Sequence, residues 1–370
     1  MLSMQSLSLL SVRRALKTFV FFAVALGSCV LFWRKVMKFL FFIAILTGTL
    51  GFAECGRDVR ENIRLFSGSS NLPLAKQVGE VLGIEVGEAP VGRFNDGEIR
   101  IRVLEDVRNC DVFILQSLCR GENSSVNDNL MELYLMIRAM KRGSAKSVTA
   151  VIPYYAYARQ DRKKLETVPI SASDVAMLIE LAGADRVIAI DLHCGQIQGF
   201  FHKAPVDNLY GSTIFVPYIA QLGLIDPVIV SPDAGGVERA KSVIDGLEAL
   251  GISSRLAMIV KHRAEPGVIE SMNLVGKVRD SDVVIVDDIC DTAGTLVQAA
   301  NELRKFGARR VFACSTHALL SGPACLRIGD SCLEELVVTD TIPLRKEAPS
   351  KVKQLSVAPL LAQAILSEGI

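Results

Sequence analysis

Four β-branched residues stand together at Val283-Val284-Ile285-Val286, with no polar residue on alternate positions. A strand with one wet face alternates apolar and polar residues, and one covered on both faces does not. This run therefore predicts a central strand of a parallel sheet packed between helices. In such sheets ligands bind just past the carboxyl ends of the strands. Directly after Val286 the chain reads Asp287-Asp288-Ile289-Cys290-Asp291-Thr292-Ala293-Gly294-Thr295.

The same grammar runs from about Ile63 onward. Asp111 to Gln116, Ser147 to Pro153, Arg186 to Ile190, Pro227 to Val230 and Arg310 to Ala313 read as further buried strands. Between them, Asn127 to Met140 spaces Leu130, Leu133, Tyr134, Ile137 and Met140 at helical intervals, with Asn127 or Asp128 as the N-cap. Thr292 to Phe306 opens a second helix in the same way. The alternation predicts an α/β protein with mostly parallel sheets flanked by helices. Val187 to Cys194 (VIAIDLHC) also echoes Val283 to Cys290 (VVIVDDIC) at a spacing of roughly a hundred residues, too long for a solenoid repeat. That suits two similar domains in tandem, expected over 61–210 and 211–345, with 346–370 packing back on the core.

Residues 1–60 differ. Phe19 to Trp33 and Phe39 to Ala53 are two apolar runs, each shorter than the roughly 20 residues that span a bilayer comfortably. Basic residues precede both, and Gly51-Phe52-Ala53 resembles a cleavage point. A membrane anchor through 19–53, a cleaved targeting segment and a start assigned too early, with Met37 the true one, all fit. The remainder reads as a cytoplasmic catalytic region. The nine cysteines of the whole chain form no CxxC pair or zinc spacing and read as reduced thiols. A net charge of +1 gives no electrostatic case for nucleic acid as a partner.

Asp291-Thr292-Ala293-Gly294-Thr295 lies between a strand end and a helix start. Small residues there let several backbone N–H groups converge, and the threonine hydroxyls add donors: a phosphate nest. Asp287 and Asp288 suit the vicinal hydroxyls of a sugar, or the waters of a magnesium ion. Other stretches add to this. Arg93 to Glu98 (RFNDGE) places an aromatic ring and two carboxylates in a turn suited to a purine. Arg159-Gln160 lies in a cation-rich run after a strand. Asp191 and His193 form an acid and an imidazole able to hold magnesium. Ser231 to Gly236 (SPDAGG) is a second strand-end loop with an acid, and Lys261-His262-Arg263 puts two cations on one side of an extended segment.

The loop after Val286 resembles the phosphoribosyl-diphosphate-binding motif of the phosphoribosyltransferase fold. Taken with the other stretches, the chain from Ile63 to about Ile370 resembles the ribose-phosphate diphosphokinase family. The resemblance implies two phosphoribosyltransferase-like domains and transfer of a diphosphoryl group from ATP to ribose 5-phosphate. Phe94, Asp96, Gly97, Glu98, Arg159 and Gln160 would bind ATP, with Phe94 and its turn supplied by a neighbouring subunit. His193 and Asp233 would bind Mg2+. Arg263, Asp287, Asp288, Asp291, Thr292, Ala293, Gly294 and Thr295 would bind ribose 5-phosphate, with Lys261 and Arg263 as the catalytic cations. A homo-oligomer, a hexamer in this family, is expected. The family commonly reads Phe-Phe-Asp-Ile-Pro-Val-Asp-Asn where this chain has Phe200-Phe201-His202-Lys203-Ala204-Pro205-Val206-Asp207-Asn208, so an acid gives way to His202 and one residue is added. A phosphoribosyltransferase and a non-catalytic regulatory homologue are the alternatives; the adenine turn counts against the first, and Lys261 with Arg263 against the second.

Overall fold

The computed structural model describes residues 62–163, 165–262 and 271–367. The apolar runs of 1–60 lie outside them, and among the described residues no helix is long and apolar enough to cross a membrane. The first half runs β1 (Ile63–Ser67), α1 (Leu72–Leu82), β2 (Val91–Arg93), β3 (Ile99–Ile101), β4 (Asp111–Leu115), α2 (Val126–Arg142), β5 (Ser147–Ile152), α3 (Ser171–Ala182), β6 (Arg186–Ile190) and β7 (Val206–Leu209). The second runs α4 (Ser212–Gln221), β8 (Val228–Ser231), α5 (Val237–Ala249), β9 (Arg255–His262), β10 (Ser271–Val275) and β11 (Asp282–Cys290). It continues through α6 (Gly294–Lys305), β12 (Arg310–Ala318), α7 (Ala324–Gly329), β13 (Glu335–Thr339), β14 (Val352–Leu355) and α8 (Ala358–Ser367).

Two parallel sheets result. The first is ordered β1-β4-β5-β6-β7, and the second β10-β9-β8-β11-β12-β13-β14. Only the β9–β10 pair within the second is antiparallel. The unbroken apolar strands are covered on both faces, as their lack of alternation requires. On one face of the first sheet Val112, Ile114, Ala150 and Ile152 meet Leu133, Met136 and Ile137 of α2. On the other, Phe113, Leu115, Val151 and Ile188 meet Leu74 and Val78 of α1 together with Leu361 and Ile365 of α8. Thus α8 follows the second sheet in sequence but covers the first.

Two local differences from the sequence reading have clear causes. Helix α2 starts earlier than Asn127, because Ser125 is the N-cap and forms a reciprocal capping box with Asp128. Strand β11 runs past Val286 to Cys290, because β12 also runs on and pairs with it to Cys290↔Ala318. Asp287 and Asp288 therefore sit on the strand itself, not in the loop beyond it.

Candidate active site

The carboxyl ends of β6, β8 and β11 open onto one cleft of about 1220 Å³. It is lined by Arg159, His193, Asp233, Asp287, Asp288 and residues 291–295, among others. The structure thus brings together residues that the sequence spreads over more than a hundred positions.

At its base, Asp288 Oδ2 lies 2.7 Å from His193 Nδ1, and Asp288 Oδ1 lies 3.5 Å from Arg239 Nη1. Burial works against ionising Asp288, but the His193 hydrogen bond and the Arg239 charge outweigh it and hold the carboxyl well below its ordinary range. Asp287 shifts the opposite way: burial, then the Asp288 charge, push it well above. The two acids titrate as one unit in which Asp288 carries the charge first. Arg239 was not singled out from the sequence. Its one signal there is a place on the first turn of a helix directly after the Ser231–Gly236 loop.

Beyond the acids the chain turns into α6. Ala293 is the N-cap, with φ 57°, and makes no side-chain capping bond. The left-handed turn that the loop needs is therefore carried by a non-glycine residue, at a cost in strain. The neighbouring Gly294 has a different use: a Cβ there would come within 3.3 Å of Arg327 Nη1, which donates to the Thr292 carbonyl at 3.0 Å. With no capping side chain, the first N–H groups of α6 remain available to an anion. Arg159 Nη1 donates to Asp291 Oδ2 at 2.7 Å. Burial raises the Asp291 carboxyl, but Arg159 prevails and lowers it.

Some of the other expected residues lie apart. Gln160 lines a second depression of about 670 Å³, shared with Tyr154, Tyr157 and Arg120, and Arg159 borders both. Phe94, Asp96, Gly97 and Glu98 sit on the turn between β2 and β3 and line neither. Phe94 is half exposed, with the Arg100 guanidinium 5.6 Å from its ring centre. Arg93 ties this ribbon to Asp128 of α2 at 3.0 Å. Asp233 lines the cleft and accepts from Gly236 N at 3.0 Å. Asp191 also lines the cleft, and its Oδ2 accepts from the Gly211 N–H at 3.0 Å and from the Thr316 hydroxyl. Lys261 is extended, opposite Met272 on β10, with its side chain outside the described residues, as is the whole of Arg263. The altered segment after Phe201 is held by Glu180, whose Oε1 accepts from the backbone N–H groups of Lys203 at 2.6 Å and Ala204 at 2.9 Å.

Two family models match the chain. Residues 63–183 match the N-terminal domain of ribose phosphate pyrophosphokinase, and residues 249–367 the phosphoribosyl synthetase-associated domain. The ribose-phosphate pyrophosphokinase of Campylobacter jejuni is 51% identical over 302 residues, 82% of this chain and 94% of that protein. That of Clostridium perfringens is 50% identical over 309 residues, again 82% and 94%. That of Bacillus subtilis is 48% identical over 307 residues, 83% and 94%. Among solved structures, the phosphoribosylpyrophosphate synthetase of Mycobacterium smegmatis is similar with a TM-score of 0.76 and 41% identity, covering 83% of this chain and 98% of that one.

Proposed function

The chain belongs to the ribose-phosphate pyrophosphokinase family, and on that premise we propose how its cleft works. The enzyme transfers the β,γ-diphosphoryl group of ATP to the 1-hydroxyl of ribose 5-phosphate, giving 5-phosphoribosyl 1-diphosphate and AMP for nucleotide biosynthesis. The observation that carries the assignment of parts is the uncapped N-terminus of α6 beside one buried and one half-buried acid and a cation in one cleft.

The 5-phosphate takes the N–H groups of residues 292–295, where the helix dipole favours a dianion. Asp287 grips the sugar hydroxyls, fixing the 1-hydroxyl for in-line attack on the β-phosphorus. Arg159 meets the ATP polyphosphate and gives up its pairing with Asp291 as the substrates arrive. Lys261 and Arg263 meet the charge that builds on the transferring group and on the AMP leaving oxygen. As in other phosphoryl transfers, catalysis is mainly positioning and charge stabilisation.

Among the described residues, no three or more His, Cys, Asp or Glu gather around one point. That fits magnesium, which keeps several waters and takes one or two protein donors plus substrate oxygens. His193 and Asp233 are the donors we assign, both on the cleft. When bound, magnesium neutralises polyphosphate charge. The adenine turn, Phe94 to Glu98, serves the ATP site of a neighbouring copy, which its exposure away from both depressions supports, and the assembly is a homo-oligomer, a hexamer by family resemblance. The catalytic region belongs in the cytoplasm, where its seven described free thiols stay reduced.

The test is AMP formation by the full chain. It is expected to require both ribose 5-phosphate and magnesium. A phosphoribosyltransferase or a non-catalytic homologue makes no AMP under these conditions, and that result would end the proposal.

A further inference from the structure

Asp287 and Asp288 are neighbours near the end of β11, and both line the cleft. Their carboxylates are not equally free to take a sugar. Asp287 accepts the backbone N–H of Asp288 at 2.9 Å on one oxygen. Asp288 is only 4% exposed, and both its oxygens are engaged: Oδ2 with His193 at 2.7 Å, Oδ1 with Arg239 at 3.5 Å. A sugar hydroxyl would have to displace a charged partner to reach it.

The geometry points to a division of labour in the acid pair: Asp288 is a positioning residue, which with Arg239 fixes the His193 ring for magnesium, and Asp287 alone of the two takes the sugar. This rests on the proposed role of His193 as a magnesium donor. A histidine that donates Nδ1–H to a carboxylate keeps the lone pair of Nε2 free, and metal-bound histidines are commonly held in this way. Arg239 completes the mount. Its side chain is 15% exposed and sits on the first turn of α5. The preceding Gly236 donates its N–H to Asp233, the other assigned donor, at 3.0 Å. The start of α5 thus anchors both: Asp233 through a backbone N–H, and His193 through Asp288 and Arg239.

The experiment uses the full chain and Mn2+ as the probe, its affinity read by paramagnetic resonance without turnover. Ribose 5-phosphate affinity is read separately by calorimetry. Asp288→Asn is expected to weaken Mn2+ binding about 10- to 100-fold and to leave ribose 5-phosphate affinity essentially unchanged. Arg239→Gln should give a smaller loss in the same direction. Unchanged Mn2+ affinity, or a loss of sugar affinity as large as the loss of Mn2+ affinity, overturns the division. Should the variants fail to fold, the wild type decides. The chain has four histidines, so the His193 ring nitrogens are assignable by nitrogen-15 resonance. The neutral ring is expected with its proton on Nδ1 and with Nε2 broadened by Mn2+. A proton on Nε2, or no effect of Mn2+, overturns the inference. Failure of the proposed synthetase activity shows elsewhere, as a wild type that makes no AMP.

Discussion

Arg159 and Asp291 hold each other at 2.7 Å across the mouth of the cleft, and Arg159 is half exposed. A pair this open contributes little to folding, typically below about 1 kcal/mol. In the proposed mechanism its worth is as a cation kept in place until a polyphosphate arrives. Arg159→Ala should therefore leave the unfolding midpoint nearly unchanged and raise KM for ATP about 10- to 100-fold, the loss of a charge-assisted hydrogen bond; steady-state kinetics checks this. Lys261→Ala should behave differently. Turnover should fall about 10²- to 10³-fold with ribose 5-phosphate binding nearly intact, because in the proposed mechanism the ammonium acts on charge that develops only in the transition state. Both cations, and the acids they serve, could be picked from the sequence, because unusual residues stand at strand ends. The partnerships could not. His193 meets Asp288 across 95 positions, and no local pattern announces such a pair.

At the scale of elements, β11 is anchored at its first residue. Asp282 is fully buried and accepts from Ile225 N at 2.8 Å, from Arg310 at 2.7 and 3.2 Å, and from Arg309. Burial opposes its ionisation, but Arg310 and its other donors pull the carboxyl down to about 2. A depressed carboxylate contributes stability that is complete above its unfolded value near 3.8 and is lost as pH falls toward 2. Wild-type stability should drop in that window. Asp282→Asn should lose about 3 kcal/mol at neutral pH, because its arginines are left without their charge; denaturant titration measures both. The central strands were legible because burial on both faces leaves an uninterrupted apolar run. Short edge elements were not. β2 has three residues and β14 reads Val-Lys-Gln-Leu, so although each pairs with the next or preceding strand, neither shows an apolar run or a clean alternation. The N-cap of α2 was misplaced for a related reason: Asn127 and Asp128 are good capping residues in isolation, but Ser125 makes the reciprocal bond.

At the scale of the whole molecule, the two sheets meet through buried polar contacts. His317 from β12 places Nε2 3.0 Å from the Ile190 carbonyl of β6, with Nδ1 3.0 Å from Thr341 Oγ1. Burial lowers its pKa below the ordinary 6.5. A histidine kept neutral in the fold contributes stability that is complete above its unfolded value and is lost as pH falls below about 6.5. Unfolding free energy should thus decline between pH 7 and pH 5 more steeply in the wild type than in His317→Gln, as denaturation at a series of pH values would reveal. The tandem arrangement was expected from the echo between Val187–Cys194 and Val283–Cys290. The buried seam was invisible, since a lone histidine in an apolar strand carries no address. The route of α8 has a consequence for how the protein is made. One face of the first sheet is shared by α1 and by Val357, Leu361 and Ile365, so on the ribosome that face waits with α1 alone while the other half of the enzyme is still being synthesised, and a nascent chain stalled at Ser356 would offer chaperones the apolar strip that α8 later covers.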